Sequence, residues 1–141
     1  MNAPALSRRE KIFDLEQAMR AMPEHQVDLE PRHHFADGIY VRELYIPAGT
    51  ALVGKVHKTE HVCMLLKGRI VVATDDGERV IEAPAIVVSP AGTKRAGYAL
   101  EDCIWVNVHP TSERDVSKIE QQFIEPEPLH ALEQEERACL G

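Results

Sequence analysis

The chain has 141 residues, a formal charge of −7 and an aromatic content of only 5%. That length favours one domain with short appendages, whose core needs neither a disulfide nor a structural metal. The acidic balance, with no basic run, argues against nucleic acid, whose phosphates are bound by clustered cations.

Ser7-Arg-Arg-Glu10 has the form of a capping box, in which the serine hydroxyl accepts from the backbone near Glu10 and Glu10 reaches back. Apolar residues then fall at Ile12, Leu15, Met19 and Met22, with Ala18 beside them, which predicts an amphipathic helix ending before Pro23. From Gly38 the period shortens. Ile39–Ile46, Leu52–His57, Val62–Leu66, Arg69–Ala73, Arg79–Glu82, Ala85–Val88, Arg95–Ala99 and Cys103–His109 read as strands. Turn signals separate them: Pro47-Ala-Gly49-Thr, Lys67-Gly68, the hairpin signal Thr74-Asp-Asp-Gly-Glu78, Pro90-Ala-Gly92 and Leu100-Glu-Asp102. Roughly seven or eight strands with no helix between them predict an antiparallel sandwich or barrel.

After Pro110 the pattern turns helical. Ser112 precedes Asp115 by three residues, and Val116, Ile119 and Phe123 form an apolar stripe. Glu125-Pro-Glu-Pro128 ends it, and the acidic tail Leu129 to Gly141 reads as a helix or as disorder. The expected organisation is a helix and linker over 1–32, an all-β unit over 33–111 and a helical extension over 112–141. Cys63, Cys103 and Cys139 form no CxxC and no even framework, and the first ten residues lack the apolar run of a signal peptide. With no stretch approaching a membrane span, the expectation is a reduced, cytoplasmic protein with no membrane partner.

His57-Lys-Thr-Glu60-His61 puts two imidazoles and a carboxylate, all ligands for transition metals, in one short stretch. Gly68 follows, and Ser89-Pro90-Ala91-Gly92 comes later. With the strand series around it, this pattern resembles the cupins from about Gly49 to Pro110, roughly half the chain. In that family a His-x-His pair, a glutamate and a glycine form a first motif, and a Pro-x-Gly turn followed by a histidine forms the second. Aligned on Gly68, His61 stands in the glutamate's place, His57 in the second histidine's and Lys55 in the first's. Aligned on Gly92, Arg95 stands in the remaining histidine's place. The resemblance implies a double-stranded β-helix, the jelly-roll barrel, but its usual metal site does not transfer unchanged. Pro47-Ala-Gly-Thr, Pro90-Ala-Gly-Thr-Lys-Arg-Ala-Gly-Tyr98, Trp105 and His109-Pro-Thr111 also resemble small cupins of tailed-phage and prophage genomes, which implies no known reaction.

Strand alternation gives His57 the same face as Lys55, and His61 the same face as Cys63 and Leu65. With His57 and His61 on adjoining strands, His109 supplies a third nitrogen if the face of Trp105 and Asn107 is the inner one. Ile104, Val106 and Val108 form the more apolar alternative. Three neutral imidazoles with water completing the shell suit Zn, Fe, Mn, Ni or Cu. Exposure near a surface turn is the competing reading of these histidines. Glu60 is a candidate base or ligand, or an exposed turn residue. Arg95 is expected to pair with an internal carboxylate such as Glu43, the alternative being a bound carboxylate or phosphate with Lys55 and Lys94 nearby. Tyr98 and Tyr40 are candidates to lend hydroxyls. His33 and His34, adjacent on a strand, point to opposite faces, and His25 and His130 look incidental.

The leading expectation is a small protein that binds a divalent transition metal at His57, His61 and His109, with Lys55, Arg95 and Tyr98 on a small anionic molecule and Glu60 as base. Isomerase, dioxygenase and lyase chemistry stay open, as does whether there is turnover at all. The competing expectation is a metal-free binding or structural module of phage type. A homodimer is expected, with Leu15, Met19, Ile119 and Phe123 at its interface, unless both helices pack on their own sheets. No Ser-His-Asp spacing, phosphate-cradling glycine loop or dinucleotide fingerprint is present.

Overall fold

A computed structural model describes residues 7–126. The expected acidic tail, Cys139 and His130 lie outside the described residues. Helix α1 (Arg8–Arg20) begins where the capping signal predicts, with the Ser7 hydroxyl accepting from the Glu10 N–H at 3.1 Å. A short 3-10 turn at Pro23–His25 leads to nine strands: β1 (Arg32–Ala36), β2 (Ile39–Ile46), β3 (Ala51–Val53), β4 (His61–Lys67), β5 (Arg69–Thr74), β6 (Gly77–Glu82), β7 (Ala85–Ser89), β8 (Ala96–Ala99) and β9 (Cys103–Pro110). Helix α2 (Val116–Phe123) is capped by Asp115, whose carboxylate accepts from the Ser117 and Lys118 N–H groups. No described helix is long and apolar enough to cross a membrane.

The strands form two antiparallel sheets, in the orders β1-β2-β9-β4-β7 and β3-β8-β5-β6. Leu44, Ile46, Leu65, Ile70, Val72 and Trp105 pack between them as the main core. The Thr74-Asp-Asp-Gly signal closes the β5–β6 hairpin, with Thr74 paired to Gly77. Gly68 turns the chain between β4 and β5 at φ +87°, where a Cβ would collide with the Asp102 carbonyl oxygen and lie 2.8 Å from Cys103 Sγ. Only glycine fits that turn.

Two strand expectations change. β1 is an added edge strand. Its residues Arg32-His-His-Phe-Ala36 carry too little apolar alternation to announce it. The expected Leu52–His57 strand ends at Val53; the Gly54 N–H still donates to the Arg95 carbonyl (2.9 Å), and beyond it the chain leaves the sheet. His57 instead makes an isolated bridge to Ile124.

The helices also dock differently from the stripes expected of them. α1 buries Ile12 and Glu16, while Leu15 is 42% exposed and Met22 also faces solvent. The reason is ionic. Lys94 is fully buried beneath the helix, with its ammonium 3.2 and 3.1 Å from the two carboxylate oxygens of Glu16 and 4.8 Å from the Phe13 ring centroid. Arg9 adds a hydrogen bond to the Gly92 carbonyl at 2.7 Å. On α2, Ile119 and Phe123 are buried with Tyr40 and Phe35 of their own chain, so they are not free to form a dimer interface.

Removing one partner of a buried ion pair leaves the other charge desolvated, so Glu16→Ala is expected to lower unfolding free energy by about 3–5 kcal/mol. Leu15→Ala on the exposed side of the same helix should change it by less than about 0.5 kcal/mol. Urea denaturation of both variants checks this. Equal losses would mean that α1 docks through its apolar stripe.

Candidate metal centre

Strand β4 begins at His61 and β9 ends near His109, and the pairing of Val62 with Val108 brings those two histidines side by side. Their ring centroids are 4.7 Å apart. His57 arrives on the segment between β3 and β4. That segment is clipped from both sides: Gly92 N–H donates to the His57 carbonyl, Lys58 N–H to Phe123 and Glu125 N–H to Val56. The His57 ring centroid then lies 4.2 Å from that of His61 and 5.2 Å from that of His109. One ring nitrogen from each residue falls within 4.8 Å of the others. Two nitrogens on a zinc-like ion at ~2.1 Å are at most ~4.2 Å apart, so a small inward rotation of the rings completes a three-histidine shell.

The hydrogen bonds leave ligating lone pairs available. Asn107 Oδ1 accepts from Trp105 Nε1 (3.0 Å) and from Cys63 Sγ (3.2 Å), so the cysteine sulfur is left to accept from His61 Nε2 at 3.3 Å. With the thiol proton directed to Asn107, the His61 proton is assigned to Nε2 rather than observed there. His61 Nδ1 and His109 Nδ1 are buried without a hydrogen-bond partner in the protein. The Lys55 carbonyl accepts from His57 Nδ1 at 3.1 Å, the backbone orientation that metal-bound imidazoles commonly have. Phe123 stacks on the His109 ring at 4.5 Å and holds it in place.

All three imidazoles are held neutral. Burial, reinforced by the repulsion between His57, His61 and His109 whenever they protonate together, pushes His57 down to about 3. Burial, with His61 and Arg42 adding, pushes His109 down to about 4, and His61 is lowered by burial and by Arg95. Burial raises the Cys63 thiol, so the sulfur stays protonated beside the site.

Next to the histidines a cavity of about 100 Å³ opens between the sheets. Arg42, Lys55 and Arg95 line it, and among the described residues no carboxylate does; the adjoining cavity, which shares Arg42, Lys55 and His57 and reaches His109, is lined by Glu120 as well. Arg95 donates to Ser89 Oγ at 3.1 Å, sits 5.5 Å over the Trp105 ring, and keeps its Nε buried without a partner. The expected pairing with Glu43 does not occur. Glu43 shares the outward row of Arg32 and Val106, where its carboxylate meets His34 at 2.9 Å. Lys94 is likewise no part of the cavity, since it turns the other way to Glu16. Tyr98 is exposed and does not line the cavity, and Glu60 is exposed in the turn before β4. Tyr40 lies beside the centre, its ring stacked near His109 and its hydroxyl 2.6 Å from His33 Nδ1.

The structure thus brings together His57, His61, His109, Lys55 and Arg95, and leaves Glu60 and Tyr98 outside. Arg42, Ser89 and Asn107 join the cavity without having been singled out as ligand-contacting residues. The signal for Arg42 and Asn107 was alternation: Arg42 pairs with Asn107, which pairs with Cys63, all on the inner face.

Histidines neutral in the fold bind fewer protons than in the unfolded chain once pH drops below about 6.5. Stability of the metal-free protein should therefore be complete above about pH 6.5 and decline as pH falls towards the folded values. Each fully buried histidine contributes up to about 1.4 kcal/mol per pH unit, less for partly solvated His57. Chemical denaturation of chelator-treated protein between about pH 7.5 and 5.5 should show this slope, and His57→Gln should reduce it. An unchanged slope would remove His57 from the neutral set.

No family model matches the chain, and no curated protein matches it in sequence. Solved structures do. A KdgF protein from a Halomonas species is 14% identical with a TM-score of 0.53, over 66% of this chain and 88% of that one. A cupin superfamily protein from Desulfitobacterium hafniense is 11% identical with a TM-score of 0.51, over 62% and 81% of the two chains. A protein of unknown function from Rhizobium leguminosarum is 17% identical with a TM-score of 0.50, over 77% and 96%. At these identities the likeness establishes the fold alone, two facing antiparallel sheets arranged as in cupin proteins.

Proposed function

We propose that the two sheets form a cupin-type jelly-roll barrel that binds a divalent transition metal through His57, His61 and His109, together with a small anion held by Arg95 and Lys55. The observation that carries this reading is the charge of the cavity: among the described residues three cations and no carboxylate line it, beside three neutral imidazoles, and Glu120 is reached only in the adjoining cavity. Unpaired positive charge in a partly desolvated space is costly, and a divalent ion on neutral ligands adds to it. A carboxylate or phosphate entering the cavity supplies the missing negative charge, and guanidinium matches either group bidentately. The Arg95 position suits this role because its side chain is held by Ser89 and Trp105, neither of which neutralises it. When bound, such an ion polarises a carbonyl or activates water or dioxygen. The chain's own part is to keep the imidazoles unprotonated, to fix the His61 tautomer through Cys63 and Asn107, and to orient the anion against Arg95.

Untagged protein incubated with Zn, Mn, Fe, Ni or Cu salts and desalted should retain about one equivalent of metal per chain by elemental analysis. His57→Ala should weaken retention at least about tenfold. Retention below about one-tenth equivalent for every metal would favour a metal-free binding or structural module. Carboxylates and phosphate should raise the melting temperature of the loaded wild type more than that of Arg95→Ala. Equal shifts would remove Arg95 as the anchor.

A further inference from the structure

We propose that the anion taken by this cavity is amphipathic: a short-chain carboxylate with its head at Arg95 and the histidines and its apolar chain running inward between the sheets. This rests on the metal-and-anion reading above and adds the other half of the ligand.

The strand register sorts the inner face by polarity. Tyr40 pairs with His109 and His61 with Ser89, which places these four side chains in one inward row at the mouth. Two residues along the strands the row is Arg42, Asn107, Cys63 and Val87. Two residues further it is Leu44, Trp105, Leu65 and Ala85, with no charged group. The second sheet meets this apolar end with Leu52, Ile70 and Val72 around Gly97, where an added Cβ would lie 3.2 Å from Ile70 and 3.3 Å from Leu52. The cavity therefore passes from cations to hydrocarbon within a few residues of strand.

A phosphate or a bare carboxylate satisfies only the mouth. The deep end would then hold water with few polar partners, which is unfavourable in an apolar space. A hydrocarbon chain displaces that water and should gain about fourfold in affinity per buried methylene. Size sets the limit. A water needs on the order of 10–15 Å³ of such space, so the cavity of about 100 Å³ holds roughly seven to ten heavy atoms. After the three heavy atoms of the carboxylate head, about four to seven carbons remain.

Calorimetric titration of the zinc-loaded full chain with the straight-chain acids from acetate to octanoate, with inorganic phosphate as the headgroup alone, tests this. Affinity should rise about fourfold per methylene from acetate to around hexanoate and then level off, with phosphate weaker than hexanoate. Arg95→Gln should weaken every acid by a similar factor and leave the chain-length slope intact. Leu52→Ala should move the break to longer acids and Leu52→Phe to shorter ones. A flat series in which acetate binds as well as hexanoate, or phosphate binding as tight as hexanoate, would overturn the amphipathic ligand and leave the anion site standing. Failure to load zinc, measured on the same sample, moves the titration to whichever of Mn, Fe, Ni or Cu the protein retains, and failure to load any of them would overturn the underlying reading and this proposal with it.

Discussion

The site depends on the register of one strand. β9 is hydrogen-bonded on both sides, to β2 and to β4, so its inner face is set twice over. A slip of one residue would carry Trp105, Asn107 and His109 to the outside and bring Ile104, Val106 and Val108 in. The pairing of Cys63 with Asn107 and Leu65 with Trp105 fixes that choice. Because His61 opens β4 and His109 lies near the end of β9, the same register that closes the core sets the two imidazoles ring against ring. His57 comes from outside the sheet, and it needs the clips to Gly92 and α2 that the strand histidines do not.

Charge is the second constraint, and it follows from the residue types at three positions. His61 contributes an imidazole, and Lys55 and Arg95 contribute cations, where the chain lines the space between the sheets. The result is a cluster of neutral imidazoles beside a cavity lined by cations and, among the described residues, by no carboxylate, with Glu120 lining the adjoining cavity that reaches His109. Burial keeps the imidazoles neutral, which leaves their lone pairs free and prevents further positive charge from accumulating among them.

Much of this was legible in the sequence, because turns and alternation are local. Gly68, Gly92 and Thr74-Asp-Asp-Gly mark real turns, and the inner face of β4 follows from period two alone. The inner face of β9 was ambiguous for a physical reason. Its outward residues Ile104, Val106 and Val108 are the more apolar set, and only the partners in β2 and β4 decide between the faces. Arg95's partner was misjudged because Glu43 and Arg42 are neighbours on opposite faces, so one residue of register separates an internal carboxylate from an external one. Tyr98 shares a strand with cavity-lining Gly97 but points outward, as adjacent residues do. On α1, the stripe Ile12, Leu15, Met19 looked like the docking face, whereas a buried lysine distant in sequence turned the helix toward Glu16.

That buried lysine joins the N-terminal helix to the site. Lys94 and Arg95 are consecutive and leave the chain in opposite directions, one under α1 and the other into the cavity. A buried ion pair contributes little net stability compared with well-packed apolar groups, since desolvation offsets most of its attraction. What it does impose is direction, because the ammonium has few places where its charge is met. With Lys94 committed to Glu16, the backbone at 94–95 is committed too, and Arg95 has one side on which to emerge. Arg9 ties the preceding turn at Gly92, whose N–H in turn holds the carbonyl of His57. The helix thus fixes both the cation and one of the imidazoles, although none of its residues lines the cavity.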